Sequence, residues 1–459
     1  MVIHPQQFRT RSLEEISRGE DICRILAAAI RGADAGEAIK RHVHREPDSL
    51  VVDRSYFDLN VYQRILVIGA GKASVPMAKS VCEIVGNRLT SGMLITKDGY
   101  RAPLDGQLEN KVQVIEGSHP LPEQRNIEAT LNLLSLVKGL NSKDLVIFLL
   151  SGGASSLLMC PSPGISLHDM QLTTSLLLDC AASISEINTV RKHLDAIKGG
   201  GLAKLLAPAT VTSLILSDVV GDQVDMIGSG PTIADPTTFT DAWEILNKYQ
   251  LVDRVPTSVR GHIADGLEGK IPETLKPGDP ILKKVTNLIV ASNKDALTGA
   301  EQAARMAGFS TSILTSSLQG EASASGDHLC EEAMRLLEGP SSISRPACML
   351  AGGETTVSIQ GDGLGGRNQE LALGAVKCLS GLERMLLVSL ATDGGDGPTD
   401  AAGAVATSKT YSRGLSMGLN PKDYLRRNDS YHYFEPLGDL IKTGPTFTNV
   451  NDLVLIFGL

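Results

Sequence analysis

The stretch LVIFLLSGGASS, residues 145–156, joins six consecutive apolar residues to a turn of glycine and serine. An apolar run of this length predicts a strand buried on both faces, which is typical of a parallel sheet covered by helices. The glycines let backbone N–H groups approach a ligand, and Ser151, Ser155 and Ser156 add hydroxyl groups. Because such sheets bind ligands at the carboxyl ends of their strands, the turn is a candidate anion site. Taken alone, a Gly-Gly pair is more typical of an ordinary strand-to-helix turn.

The same pattern recurs elsewhere in the chain, and this repetition favours a functional reading. Four further apolar runs end in glycine or carboxylate turns, namely ILVIGAGKAS (65–74), SLILSDVVGD (213–222), CMLAGGETT (348–356) and LLVSLATDGGDG (386–397). The runs alternate with segments of helical periodicity, which predicts an α/β fold with a doubly wound, mostly parallel sheet. Five such strand ends indicate one large site, or two sites that face each other.

A length of 459 residues favours two domains. Six prolines interrupt residues 222–284, so we predict one domain over 1–280 and a second over 281–459. We predict a helical lead-in over residues 1–45, with a helix over 13–43. Whether this lead-in packs on the second domain is left open. The second pattern begins at a strand over 288–291 and includes a strand over 355–359.

Composition excludes several classes of function. The net charge of −9 and the 4% aromatic content argue against nucleic acid and anionic membranes as partners. No apolar run reaches the length of a membrane helix, and the first residues lack a signal-peptide core, so we expect a cytoplasmic protein. Seven scattered cysteines without metal-site spacing predict buried thiols.

The GAGK turn resembles two nucleotide motifs without matching either. A P-loop needs glycine where Leu66 stands, and Ala73 replaces the Ser/Thr after Lys72. A dinucleotide fingerprint would have glycine at Ser74, with Asp98 as the acid that binds ribose. This near match keeps a nicotinamide-dependent oxidoreductase as an alternative.

Two cations stand where a glycine-rich turn meets a helix. Lys72 is predicted in the first turn of one helix, and Arg367 begins another after GDGLGG. A cation at a helix N-terminus is unfavourable by about 0.3–1 kcal/mol unless an anion binds there. We therefore predict that the pair forms an anion clamp between the domains, although a single lysine of this kind is as often simply solvated.

A helix predicted over 185–198 carries a polar stripe of Asn188, Arg191, Asp195 and Lys198 and runs into Gly199–Gly201. Such stripes are usually solvated, but the glycines favour a binding role. Acidic residues also follow the predicted strands, and carboxylates there suit Mg²⁺. The acidic candidates are Asp218, Asp222, Glu354, Asp393, Asp396 and Asp400.

Eight ordered motifs resemble the glycerate 2-kinases of the MOFRL family from about residue 13 to the end of the sequence. They are VIGAGKAS (67–74), GSHPLPE (117–123), LLSGGASSLL (149–158), INTVRKHLDAIKGGGLA (187–203), LSDVVGDQVDMIGSGPT (216–232), GGETTV (352–357), GLGGRNQELAL (363–373) and ATDGGDGPTDAAGA (391–404). Gly228 and Gly395 depart from the family pattern, but neither change alters a charged position.

The resemblance implies a Rossmann-like first domain, a MOFRL second domain with a mixed sheet, and transfer of the γ-phosphoryl group of ATP to D-glycerate with Mg²⁺, giving 2-phosphoglycerate. It places the family's lysine on Lys72, its arginine on Arg367 and its LSD aspartate on Asp218, which we take as catalytic. Tentative metal ligands are Asp218, Asp393 and Asp396. The expected substrate- or nucleotide-binding residues are Gly71, Ser151, Gly152, Gly153, Ser155, Asn188, Arg191, Lys198, Gly353, Glu354 and Gly366.

Two other functions stay open at this point. Family members have often been labelled hydroxypyruvate reductases, so an NAD(P)H-dependent hydroxypyruvate reductase is the main alternative. A non-catalytic protein that binds anionic metabolites is the third hypothesis, although it leaves the carboxylates at the strand ends unexplained. A homo-oligomer is compatible with the sequence, which does not specify the oligomeric state.

Overall fold

The computed structural model describes residues 3–102, 110–339 and 343–459. The chain forms two compact units, and one of them is interrupted in sequence by the other. We call Ala35–Ser217 with Asp222–Val290 the inserted unit. The split unit consists of the segment ending at Asp34, Asp218–Gly221 and Ala291–Leu459.

Most of the strands follow the apolar runs of the sequence, and the first three strands form a separate antiparallel sheet. The strands are β1 (Val43–Arg45), β2 (Ser49–Val52), β3 (Ser55–Asp58), β4 (Arg64–Ala70), β5 (Ser91–Lys97), β6 (Val112–Gly117), β7 (Asp144–Leu150), β8 (Thr210–Leu216), β9 (Val285–Ala291), β10 (Ser310–Leu318), β11 (Ala347–Gly353), β12 (Met385–Ala391), β13 (Gly403–Thr407), β14 (Leu440–Ile441) and β15 (Asp452–Gly458).

The helices are α1 (Arg11–Glu15), α2 (Gly19–Gly32), α3 (Ala35–His42), α4 (Ser74–Val85), α5 (Gln124–Leu136), α6 (Ala154–Leu157), α7 (Leu167–Asp179), α8 (Ile184–Leu194), α9 (Gly201–Leu206), α10 (Phe239–Lys248), α11 (Thr257–Leu267), α12 (Asn293–Met306), α13 (Ala322–Glu338), α14 (Arg367–Leu379), α15 (Thr410–Ser416), α16 (Pro421–Arg426) and α17 (Ser430–Phe434). Some helices pack on the sheets, as α4 does on β4, whereas α7, α8, α10 and α11 pack on one another. None of the described helices is long and apolar enough to cross a bilayer.

The inserted unit is built on a sheet of order β6-β5-β4-β7-β8-β9. The pairings from β6 to β8 are parallel. Every residue of β7 is buried, as its uninterrupted apolar run predicts. Strand order runs outward from β4 in one direction and from β7 in the other, so the switch point lies between these two strands. A doubly wound sheet binds ligands at this point.

The split unit has a mixed sheet of order β10-β11-β15-β12-β13-β14. β10 and β11 are parallel, whereas β15 runs antiparallel to both β11 and β12. The register places Gly353 and Ala391 opposite Asp452. The carboxyl ends of β11 and β12 and the first residue of β15 therefore share one edge of the sheet. Together the two sheets confirm the predicted α/β class, with one mostly parallel sheet and one mixed sheet.

The units divide the chain differently from the predicted domains of 1–280 and 281–459. β9 extends the first sheet next to β8, so the change of unit falls after Val290. The segment ending at Asp34 groups with the second sheet, where α2 packs on α12. Its predicted helix over 13–43 is broken into α1, α2 and α3.

Two further differences come from contacts that are distant in sequence. No strand forms over 355–359. Thr356 makes only an isolated parallel bridge with Glu321, and the carboxylate of Glu321 accepts from the N–H of Ser358 at 3.2 Å. The prediction of seven thiols is also wrong for one pair. Cys330 and Cys378 form a disulfide across the closely packed helices α13 and α14.

Candidate functional site

The turns after β4 and β7 are joined by hydrogen bonds. The N–H of Ser151 donates to the carbonyl of Ala70 at 3.1 Å, and the N–H of Lys72 donates to the carbonyl of Gly152 at 2.9 Å. The hydroxyl of Ser151 accepts from the N–H of Ala73 at 3.0 Å. The sequence predicted both turns, and the structure shows that they form one surface at the switch point.

Two glycines of this surface could not be replaced without distortion. Gly71 has φ +124°, and a Cβ there would collide with Ser151. Gly153 has φ +85°, and its Cβ would lie 3.0 Å from the imidazole of His119 and 3.6 Å from Cγ of Lys72. His119 and Lys72 thus flank the turn. Lys72 precedes α4, which begins at Ser74, so it does not lie in the first helical turn as predicted.

A cavity of about 500 Å³ adjoins the turn after β7. Helix α7 contributes both polar and apolar residues to its wall, and α8 contributes Arg191. A capping box starts each helix, formed by Ser166 with Asp169 and by Ser183 with Glu186. The lining residues are His119, Pro120, Leu121, Pro122, Gly153, Ser155, Ser156, Met159, Met170, Gln171, Thr174, Ser175, Leu178, Arg191 and Lys198.

Arg191 and Lys198 are cations of this cavity that lack an acidic partner within ion-pair distance among the described residues. Nε of Arg191 donates only to the hydroxyl of Thr174, at 3.3 Å. Lys198 is 2% exposed, and its Nζ donates to the carbonyls of Ser155 and Leu158 at 2.8 and 3.3 Å. Burial lowers the pKa of both groups, although Asp195 opposes the shift at Lys198. Mostly buried positive charge without a protein counter-ion favours an anionic ligand.

The predicted helix over 185–198 ends early, and this change moves Lys198 into the cavity wall. α8 stops at Leu194, and Asp195 takes an extended conformation. Its carboxylate accepts from the N–H groups of Cys160 and Ile197 at 3.1 and 3.0 Å. The polar stripe is therefore not a solvated face.

Asn188 does not itself line the cavity. Its carbonyl oxygen accepts from the hydroxyl of Ser229 at 3.1 Å, and Ser229 shares a 2.9 Å hydrogen bond with Ser155. Sequence reasoning missed Ser229, which has φ +63° within an otherwise glycine-rich turn. The structure thus relates Asn188 to the cavity through Ser229 and Ser155.

Lys192 contrasts with its neighbour Arg191. It is 2% exposed and forms ion pairs with Asp225 at 3.0 Å and Asp235 at 3.3 Å. Asp235 also accepts from the hydroxyl of Thr274 at 2.9 Å. This buried network was not predicted. Thr274 connects it to the turn at Gly199, because the N–H of the next residue, Leu275, donates to the carbonyl of Gly199 at 2.9 Å.

In the split unit, Arg367 is already paired with acidic residues. Nε and Nη2 donate to the two carboxylate oxygens of Asp452 at 2.5 and 3.1 Å, and Nη1 donates to Glu354 at 2.6 Å. Burial alone would lower the pKa of Arg367, but Asp452 and Glu354 raise it above its usual value. The guanidinium was predicted to bind a ligand anion together with Lys72. Instead, the fork holds Asp452, which the sequence analysis did not single out.

Gly353 and Gly366 each precede a residue of this ion pair in the sequence, Glu354 and Arg367. Gly353 ends β11 directly before Glu354, and Gly366 is the N-cap of α14. A Cβ at Gly366 would collide with Asp396, so the helix start lies tightly against the turn after β12.

The predicted metal ligand Asp396 serves the N-terminus of α14. Its carboxylate accepts from the backbone N–H groups of Asn368 and Gln369 at 3.1 and 2.9 Å, and from both side-chain amides. Burial raises the pKa of Asp396 to about 6, although these hydrogen bonds act to lower it. Among the described residues, no three His, Cys, Asp or Glu side chains are grouped as a metal site. Asp396 is thus engaged by α14, and its part in a metal site with Asp218 and Asp393 stays a prediction.

The other two predicted metal ligands also belong to the split unit. Asp393 accepts from the N–H of Gly395 at 3.1 Å, and Asp218 accepts from the side-chain amide of Asn449 at 3.2 Å.

One turn into α14, Glu370 is buried and accepts from the amide of Asn428 at 3.3 Å. Burial raises the pKa of Glu370 to about 7.

Asp98, the acid that a dinucleotide site would use to bind ribose, is hydrogen-bonded to an arginine. Both carboxylate oxygens of Asp98 accept from the guanidinium of Arg125, at 2.8 and 2.5 Å. These hydrogen bonds lower the pKa of Asp98. With an incomplete glycine fingerprint and this paired acid, the geometry gives a nicotinamide cofactor no support.

Comparison with known proteins places these features in a family. A domain of unknown function, DUF4147, matches residues 21–264, and the MOFRL family matches residues 347–452. A glycerate 2-kinase from Pyrococcus horikoshii is 40% identical over 94% of this chain and 95% of its own length. A D-glycerate 2-kinase from Thermotoga maritima is 39% identical over 91% of this chain and 96% of its own length.

The chain is also similar to a solved structure and to a relative that carries a different name. The crystal structure of a glycerate kinase from Thermotoga maritima matches with a TM-score of 0.81 and 37% identity, over 95% of this chain and 98% of that one. A relative from Agrobacterium vitis, 37% identical over 96% of this chain and 94% of its own length, is provisionally named a hydroxypyruvate reductase.

Proposed function

This chain belongs to the MOFRL family of glycerate kinases, and from that membership we propose that it is an ATP-dependent glycerate 2-kinase. It transfers the γ-phosphoryl group of ATP to D-glycerate and releases 2-phosphoglycerate and ADP. Its substrates are small anionic molecules, so the site must supply positive charge and backbone donors rather than a covalent nucleophile.

One observation carries the proposal. Arg191 and Lys198 line a cavity beside the glycine turn after β7, and neither has an acidic partner among the described residues. Both substrates are anions that would neutralise these cations. A guanidinium binds a carboxylate or phosphate through two parallel donors, whereas the ammonium group of Lys198 acts as a point charge.

We assign catalytic roles to Lys72, Asp218 and Arg367. Lys72 beside Gly153 would neutralise the charge of the transferred phosphoryl group. Asp218 would accept the proton of the glycerate hydroxyl group. Since Arg367 is held by Asp452 and Glu354, it would present a fixed positive charge rather than a free fork. Lys72 and Arg367 belong to different compact units, so their joint action on one phosphoryl group stays a prediction.

The ligation of Mg²⁺ by Asp218, Asp393 and Asp396 stays a prediction. The carboxylate of Asp396 is occupied by α14, so we propose that the ion arrives bound to ATP. Protein sites for Mg²⁺ commonly use one or two carboxylates together with substrate phosphates. Asp218 and Asp393 are the candidates for those carboxylates.

A direct assay tests the proposed function. We expect purified protein with D-glycerate, ATP and Mg²⁺ to release ADP, and the product to be consumed by enolase without added mutase, because enolase dehydrates 2-phosphoglycerate itself. A parallel reaction with hydroxypyruvate and NADH should show no oxidation. Hydride transfer without ADP release would refute the kinase and favour the reductase.

The cellular location, the macromolecular partners and the oligomeric state of the protein stay predictions. We propose a cytoplasmic enzyme that has no nucleic-acid or membrane partner. Its net charge of −9 supports this, because an acidic surface repels both polyanions. Sedimentation analysis would determine whether the chain forms a homo-oligomer.

A further inference from the structure

The cavity of the inserted unit is larger and more apolar than glycerate requires. Its volume of about 500 Å³ lies in the range that holds drug-sized ligands, whereas glycerate is a three-carbon acid. One part of the wall holds Gly153, Arg191 and Lys198. The remainder is largely apolar, and this apolar wall consists of Pro120, Leu121, Pro122, Met159, Met170 and Leu178.

Two large apolar side chains of this wall are exposed. Leu121 is 72% exposed and Leu178 is 60% exposed, although both line the same cavity. Single exposed leucines are common on protein surfaces, but two at one cavity form a hydrophobic rim. A flat apolar ligand that covered them would remove their surface from water and gain binding energy.

Polar groups near the rim can fix the orientation of such a ligand. The amide nitrogen of Gln171 donates to the carbonyl of Pro122 at 2.8 Å, which orients the side chain and leaves its oxygen as an acceptor. Thr174 and Ser175 add hydroxyl groups on the same helix. An apolar wall with a few placed polar groups and a cationic end matches a ligand that joins a flat heterocycle to a polyanion.

We propose that the apolar wall binds the adenine and ribose of ATP, and that the phosphates extend toward Arg191, Lys198 and the turn at Gly153. This inference rests on the proposed kinase function and assigns the nucleotide to the inserted unit. The acceptor carboxylate then requires a separate cation. The N6 amino group of adenine can donate a hydrogen bond to the oxygen of Gln171. This favours adenine over guanine, whose corresponding O6 is an acceptor.

The test truncates the rim and leaves the cations in place. The double variant Leu121→Ala/Leu178→Ala is compared with Ile184→Ala, which removes a 64% exposed side chain from α8 that does not line the cavity. Calorimetry measures the affinity for ADP, and inhibition by inorganic tripolyphosphate reports binding without a base. We expect the double variant to bind ADP about tenfold more weakly and to show a similar rise in the KM for ATP. Tripolyphosphate inhibition and the KM for D-glycerate should not change, and Ile184→Ala should match the wild type.

Several results would overturn the proposal. An unchanged ADP affinity with a raised KM for D-glycerate would assign the cavity to the acceptor. Equal losses in Ile184→Ala, or equally weakened tripolyphosphate inhibition, would show that the rim does not contact the base. ADP binding needs no glycerate, so it is measured independently of turnover. A wild-type protein that binds ADP at this rim but does not phosphorylate D-glycerate would refute the kinase function and not this site.

Discussion

Replacing Arg191 by methionine should reduce activity without reducing stability. The guanidinium has one 3.3 Å hydrogen bond to Thr174 and no acidic partner within ion-pair distance in the described part of the chain. The fold therefore loses about 0.5–1.5 kcal/mol of hydrogen bonding and is relieved of a mostly buried, unpaired charge. We expect the free energy of unfolding to stay within about 1 kcal/mol of the wild type or to rise.

The effect on activity should be much larger. A hydrogen bond from a charged donor to a ligand anion is worth about 1.5–3 kcal/mol, which corresponds to a loss of roughly 10- to 150-fold in kcat/KM. Urea unfolding and steady-state kinetics on the same preparation measure both quantities. Arg191→Lys keeps the charge but not the planar fork, so it should recover only part of the loss.

Lys192→Met is the matched control on the next residue of the same helix. Its removal would leave Asp235 buried without its cation, and breaking a buried ion pair in this way costs about 3–5 kcal/mol. The two adjacent cations thus have opposite expected effects on stability. If Arg191→Met loses as much stability as Lys192→Met, Arg191 is a structural residue. If the variant keeps a normal kcat/KM, the anion site is refuted.

Four further predictions concern the other site residues. Lys72→Met should lower kcat by about 10²–10³-fold with little change in Tm, and a normal kcat would contradict its role. Arg367→Met should lose activity and also about 3–5 kcal/mol of unfolding free energy, because Asp452 would stay buried without its partner; a stable variant in urea unfolding would argue against this account. Asp396→Ala should lower the unfolding free energy by about 1–3 kcal/mol, since two N–H groups of α14 lose their acceptor, whereas the Mg²⁺ dependence of the rate should be unaltered. Because burial raises the folded-state pKa of Glu370 from 4.5 to about 7, the wild type should lose up to roughly 3 kcal/mol of stability as pH rises from 4.5 through 7, and Glu370→Gln should not; parallel pH curves would refute this.

Buried strands and their turns were predictable because their signal is local. The run at residues 145–150 is uninterrupted by polar residues, and it became β7 with the turn at Gly152 and Gly153 at its carboxyl end. The repeated glycine turns likewise indicated where a ligand would bind. Both features depend only on residues that are adjacent in sequence.

The partners of the charged residues were not predictable, because they come from distant parts of the chain. The sequence of the DGGDG turn suggests a metal site, yet Asp396 accepts from α14, which lies earlier in the chain. Arg367 meets Asp452 only because β15 lies between β11 and β12 in the sheet. Periodicity also could not show that Asp195 leaves the helix. The carboxylate of Asp195 accepts a hydrogen bond from the N–H of Cys160, which belongs to another segment of the chain.

The three-segment composition of the split unit has a consequence for folding during synthesis. α2 leaves the ribosome early but packs on α12, which begins only at Asn293. The inserted unit can complete its sheet once β9 has been translated, whereas the other sheet must wait for β15, the strand that joins β11 to β12. Until then, the apolar face of α2 has no native partner in α12, so the nascent chain should depend on chaperones during that interval.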